Sequence, residues 1–333
     1  MQWVSPRSLF SRLGIIALVL IFGFLPSLAR ADDLSPSIEW AEMLSAGRVD
    51  QAIDSLQQQI QGSGASAQAY NLLCRAYYML GDWDRGIHAC EQASKLDPQA
   101  GIYQLWLGRA YGEKADRSSM FSAARLAKKV RESFERAVQL DPANWKARAD
   151  LAEFYVEAPT MMGGGKEKAL KEATAIAPLN PAIAHWVMAQ VAEKDKNSGA
   201  AETEYRQAIA ASNSGARAWD DLAAFLKKSN RLDEMEQAVG HLESARLDQP
   251  DALMDGAQML LETGRNFPLA ERLLRRYLAS PVEAGPAFKA HDMLGQLFEK
   301  QGNREAAARE YRAALELAHS YAQAQQDLNR VAS

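Results

Sequence analysis

The stretch from Ser66 to Ala100, SAQAYNLLCRAYYMLGDWDRGIHACEQASKLDPQA, decides the fold of this 333-residue chain. Its core-type residues fall three and four apart at Tyr70, Leu73, Cys74 and Tyr77. They break off at Leu80-Gly81-Asp82, then resume at Gly86, Cys90 and Ala93 before Leu96-Asp97-Pro98. That spacing lines one face of a helix, while Gly and Pro end helices by admitting positive φ or removing a donor. The stretch reads as two helices joined by a tight turn. The same grammar returns as Leu107-Gly108-x-x-Tyr111 with Phe134-x-x-Ala137 and Leu140-Asp141-Pro142, then as Leu151-Ala152-x-x-Tyr155 with Ala169 and Leu179-Asn180-Pro181. Near the C-terminus it is Leu294-Gly295-x-x-Phe298, Gly302 and Ala307-x-x-x-Tyr311-x-x-Ala314. A period of about 34 residues marks a stacked array, in which each helix pair buries its apolar face only against its neighbours. No segment alternates as a strand does.

These copies resemble the tetratricopeptide repeat family from about Ile38 onward. The resemblance implies an all-α, right-handed superhelix of about seven or eight helix-turn-helix repeats. The clearest copies are 67–100, 101–144, 145–182 and 288–321; weaker ones are 38–62, 183–214, 215–250 and 251–280, with a capping helix at 322–331. Gly108, Ala152, Gly295, Ala307 and Ala314 are small enough for two antiparallel helices to approach closely, and Tyr, Phe and Leu fill the space between repeats.

Residues 1–31 have the composition of a signal peptide. Arg7 and Arg12 precede the apolar run Leu13–Leu25, and Ala29-Arg30-Ala31 offers a small-residue cleavage site. The run is shorter than the roughly 20 apolar residues of a bilayer span; an uncleaved anchor is the alternative. The expected mature chain, 32–333, is exported, periplasmic or secreted, and contains no other span. Without Arg7, Arg12 and Arg30 it carries 35 basic and 42 acidic residues, a net charge of −7. The charges alternate along the helices, as on a solvated surface, and no basic stripe suggests nucleic acid. Cys74 and Cys90 are the two cysteines. Both fall in one repeat, where they either form a disulfide in an oxidising compartment or serve as buried thiols.

Two copies are overlong. Their extra residues, 113–123 and 157–165, are expected between the two helices of a pair, forming adjacent enlarged turns on one edge. Met120, Phe121, Met161 and Met162 there either pack together as a small secondary core or form an adaptable contact edge for a partner.

Gly163-Gly164-Gly165-Lys166 departs from a phosphate-binding loop, since Glu167 follows the lysine and no strand precedes. The glycines instead let the chain double back. The five histidines fall singly in different copies, with no H-E-x-x-H and no G-x-S-x-G. The expectation is a non-enzymatic protein with no cofactor and no metal site.

If the first helices line the concave side, as the resemblance implies, the groove stripe is Asn71, Arg75, Tyr78, Leu105, Arg109 and Glu153, continuing through His185, Asp220 and Asp292. The expected function is binding of a protein or peptide, as an adaptor in envelope assembly or secretion. The alternative is a structural subunit that self-assembles without a separable ligand.

Overall fold

Helix starts are set by short polar side chains. Ser66, Asp82, Asn144, Asn180, Asn197, Asn266 and Asn303 each accept a hydrogen bond from the backbone N–H three residues on. This satisfies a donor that the first helical turn leaves unpaired. A computed structural model describes residues 36–62, 64–280 and 286–332. The signal-peptide expectation for residues 1–31 lies outside them.

The described residues form α-helices in pairs: α1 (Pro36–Ser45) with α2 (Val49–Gly62), α3 (Ala67–Leu80) with α4 (Trp83–Leu96), α5 (Gly101–Asp116) with α6 (Met120–Leu140), and α7 (Trp145–Glu157) with α8 (Lys166–Ile176). The second half continues with α9 (Pro181–Lys194) and α10 (Ser198–Ala211), α11 (Ala216–Lys228) and α12 (Leu232–His241), α13 (Asp251–Thr263) and α14 (Phe267–Leu278), and α15 (Ala287–Lys300) and α16 (Arg304–Leu317). A last helix, α17 (Ala322–Ala332), packs on α16. Among the described residues the only β-type pairing is one isolated bridge between Gly215 and Arg246. The molecule is the all-α repeat superhelix that the period predicts.

Close approach within pairs depends on small residues. A Cβ at Gly295 would stand 2.4 Å from Tyr311 Cε1, and one at Gly108 would stand 2.4 Å from Phe134 Cε1. Between repeats, one polar brace recurs at a separation of 20 residues. Gln57 donates to Tyr77 Oη at 2.8 Å, while the Tyr111 and Tyr155 hydroxyls donate to Glu91 and Glu135. Each brace ties a first helix to the second helix of the preceding pair, so the repeats share one continuous core from Trp40 to Ala324.

The first helices touch one another in succession: α3 lies against α1 and α5, α9 against α7 and α11, and α13 against α11 and α15. Second helices make no comparable mutual contact among the described residues. The first helices therefore form the inner wall and the second helices the outer one. The array also closes on itself. Asp50 in α2 accepts from Ser320 N at 3.1 Å and from Ser320 Oγ at 2.5 Å, with His319 Nδ1 at 2.9 Å. A Cβ at Gly47 would meet that of Ala287 at 2.9 Å. The first pair thus abuts the last.

Candidate functional site

The inner wall is the surface to which every repeat contributes. Its N-terminal part is aromatic and cationic. Two guanidinium groups approach the Trp106 ring of α5, Arg75 at 5.1 Å and Arg109 at 5.0 Å from the ring centroid. Tyr78 meets Trp106 and Trp83 edge-on, at 5.6 and 5.4 Å, and its hydroxyl donates to Glu113 at 3.1 Å. Burial, then the Glu113 charge, pushes that phenol well above its ordinary range. Arg109 is fixed from the next repeat by Asp150, with Nε to Oδ2 at 2.6 Å. Such pinned arginines and half-buried aromatics offer rigid contact area at low entropic cost.

Glu153, one turn after Asp150, is accessible to solvent but crowded by protein on the wall. Burial and then the Asp150 charge raise its carboxyl to about 7, against the pull of Arg217. Arg217 in α11 donates through Nε to Asp221 Oδ1 at 2.9 Å.

Aspartates recur on the C-terminal helices of this layer, at the fifth or sixth residue of α11, α13, α15 and α17: Asp255 is exposed, while Asp220, Asp292 and Asp327 are buried between neighbouring helices. The sequence reading reached Asp220 and Asp292 but missed Asp255 and Asp327, whose copies are weak. It also missed Trp106; an aromatic between two stripe arginines was the available signal.

At the edge of the array, the chain after α7 makes a 3-10 turn at Thr160–Met162 and three glycines lead into α8. A Cβ at Gly164 would fall 1.8 Å from the Ala158 carbonyl oxygen. The amides of Gly163, Gly164 and Gly165 donate to Thr160, Pro159 and Tyr155 carbonyls at 2.8–3.2 Å. With those donors used internally, this run is a turn. Beside it lies a recess of about 770 Å³ lined by Tyr155, Pro159, Thr160, Lys166, Val191 and Lys194.

Two family profiles, both described as tetratricopeptide repeat, match residues 43–111 and 288–321. They fall on the helix pairs at the two ends of the superhelix just described. The chain is a tetratricopeptide repeat protein. No curated protein matches it. Among solved structures it is similar to a thermophilic tetratricopeptide repeat protein from Thermus thermophilus, with 23% identity over 59% of this chain and 100% of that one, at a TM-score of 0.44. A tetratricopeptide repeat protein from Parabacteroides merdae is 17% identical over 81% of this chain and 100% of that one, at 0.38. A chain of the APC/C hetero-tetramer Cut9-Hcn1 is 11% identical over 93% of this chain, at 0.41; the present chain spans 57% of its length.

In this tetratricopeptide repeat protein the expected groove residues do not all face solvent. Arg75, Tyr78 and Arg109 are half-buried on the wall and Glu153 is exposed, but Asn71 and Leu105 are buried. Their register position faces the adjacent first helix, so packing between first helices removes it from the groove.

The overlong second copy also differs from expectation. Its extra length enters the helices: residues 113–116 end α5, residues 120–123 begin α6, and only Arg117–Ser119 intervene. Met120, Phe121 and Met161 are 80%, 82% and 90% exposed, and Met162 is half-buried. The first three thus form no packed secondary core.

Cys74 and Cys90 are joined by a disulfide across α3 and α4, with both residues buried and Cα atoms 5.2 Å apart. Among the described residues no group of three or more His, Cys, Asp or Glu could hold a metal ion. No described helix is long and apolar enough to cross a membrane.

Proposed function

We propose that the inner wall holds an extended segment of a partner protein, and that the protein acts as an exported adaptor in envelope assembly or secretion. Tetratricopeptide repeats give the chain the general role of a protein-interaction scaffold. The observation that carries the finer reading is the set Arg75, Tyr78, Trp106, Arg109 and Glu153, supplied by consecutive first helices to one wall. The exposed Met120, Phe121 and Met161 supply a second, adaptable contact edge. Export is supported by the leader-like composition of residues 1–31 and by the Cys74–Cys90 pair, which suits an oxidising compartment.

Arg75→Glu should abolish capture of partners crosslinked in the cell envelope while the variant keeps its helicity and melting temperature. Unchanged capture would remove the wall from consideration. Sequencing the N-terminus of the mature protein should place it near Asp32. An intact Met1 would contradict cleavage.

A further inference from the structure

A helix that outruns its neighbours shapes one edge of the array. α6 ends on Leu140-Asp141-Pro142 as α4 ends on Leu96-Asp97-Pro98, yet α6 has 21 residues and α4 has 14. The extra residues, 120–126, lengthen its N-terminal end by about 10 Å at 1.5 Å per residue. At 100° per residue, Met120, Phe121, Arg125 and Lys128 share an arc of about 140°, and all four are exposed. Ala123, Leu126, Ala127 and Val130 fall opposite, where Val130 is buried and Leu126 packs against the core. The end of α6 is an amphipathic tip that stands proud of the array.

Charge at this tip is one-sided, in a chain whose net charge is −4. From Arg117 to Arg131 there are five basic residues and no acidic one. Arg117 pairs with Glu113, Lys129 lies over the Tyr111 ring near Glu91, and Arg131 approaches Glu135 at 3.8 Å. Lys128 is 3.7 Å from Glu132 with both side chains more than half exposed, a pair of little strength. Arg125 makes no ion pair among the described residues. The two cations beside Met120 and Phe121 are therefore open to an anionic surface.

We propose that this tip docks on a membrane surface bearing anionic lipid headgroups, with Met120 and Phe121 entering the interface and Arg125 and Lys128 lying among the headgroups. This rests on the reading of Met120 and Phe121 as a second contact edge and names what that edge touches.

Binding at a bilayer surface scales with the apolar area inserted and with attraction to anionic lipids, and the tip supplies both. Long basic side chains keep their charge at the headgroups while their stems cover apolar surface. The shape favours a lipid surface over a protein, because a protruding helix end needs a concave partner pocket but can enter a bilayer interface directly. A second copy of the chain fits poorly. Two-fold pairing through this tip would set Arg125 and Lys128 against their own counterparts.

The test is vesicle flotation at low salt with the full mature chain, residues 32–333, so that the apolar run at 13–25 makes no contribution. The vesicles are pure phosphatidylcholine, or an equimolar mixture of phosphatidylcholine and phosphatidylglycerol. Binding to the anionic vesicles should be at least about tenfold greater and should weaken as salt is raised. Met120→Ser with Phe121→Ser should cut it by at least about fivefold, as should Arg125→Gln with Lys128→Gln. Both double variants should keep the parent's helicity and melting temperature, since all four side chains are exposed. Equal binding to the two vesicle types would overturn the proposal, as would anionic binding that survives either double variant. A photo-crosslinking residue at position 121 separates the lipid from the edge itself. No vesicle binding together with a protein adduct at 121 would overturn the lipid assignment and leave the edge as a protein contact. Neither vesicle binding nor an adduct would overturn both, while capture at the inner wall is read separately through Arg75.

Discussion

Asp292 shows how a single side chain joins stability to the wall's chemistry. Burial, and then the Asp327 charge, pushes its carboxyl up to about 7, against the Gln296 donor and Arg330. The folded state therefore holds this proton more tightly than the unfolded chain. The group's contribution is complete below about pH 4 and is lost as pH rises through about 7. Asp292→Asn keeps the shape and the acceptor for Gln296 but cannot ionise. In urea denaturation it should be more stable than the parent by up to about 4 kcal/mol above pH 8, with the difference vanishing near pH 4. A destabilised variant at alkaline pH would mean that the ionised carboxylate is paired. Gly295→Ala should cost about 1–3 kcal/mol, because Tyr311 Cε1 occupies the space of the new methyl group. Wild-type stability would mean that Tyr311 moves aside easily.

At the scale of elements, the pairing of α3 with α4 was legible because Gly81, the Asp82 cap and Leu96-Asp97-Pro98 punctuate an apolar period of three and four. The longer α6 was not. Residues 113–123 contain Ser118-Ser119 and a run of charges, which read as a loop, yet continuing a helix keeps its backbone bonds and α6 reaches 21 residues. The groove stripe was legible to within a rotation. Helical spacing selects Asn71 and Leu105 along with Arg75 and Arg109, but which of them is covered depends on the neighbouring first helix, whose distance no local pattern encodes.

The disulfide closes about 15 residues between α3 and α4 and should add about 3 kcal/mol there. Stability in a repeat array is a sum of local terms, so Cys74→Ala with Cys90→Ala should speed amide exchange in α3 and α4 before the C-terminal helices. Uniform acceleration along the chain would contradict that locality. Met161→Ser, at a side chain 90% exposed, should change stability by less than about 0.5 kcal/mol.

At the scale of the whole molecule, the first and last pairs meet through Asp50, His319, Ser320 and the Gly47–Ala287 contact. No local pattern announces this closure, since its partners lie 270 residues apart and its existence depends on the accumulated rotation of all the repeats. Burial lowers the Lys289 ammonium of α15 from its ordinary range, with the Glu113 charge acting against it. The half-buried Arg75, Trp106 and Arg109 lie at the N-terminal end of the wall. The central claim is that the inner wall, and not the outer one, meets the partner. A photo-crosslinking residue placed at Glu153, accessible on the inner wall, and separately at Glu132 on α6 decides it in cells. The account predicts a protein adduct from position 153 and none from position 132; an adduct from position 132 alone would contradict it.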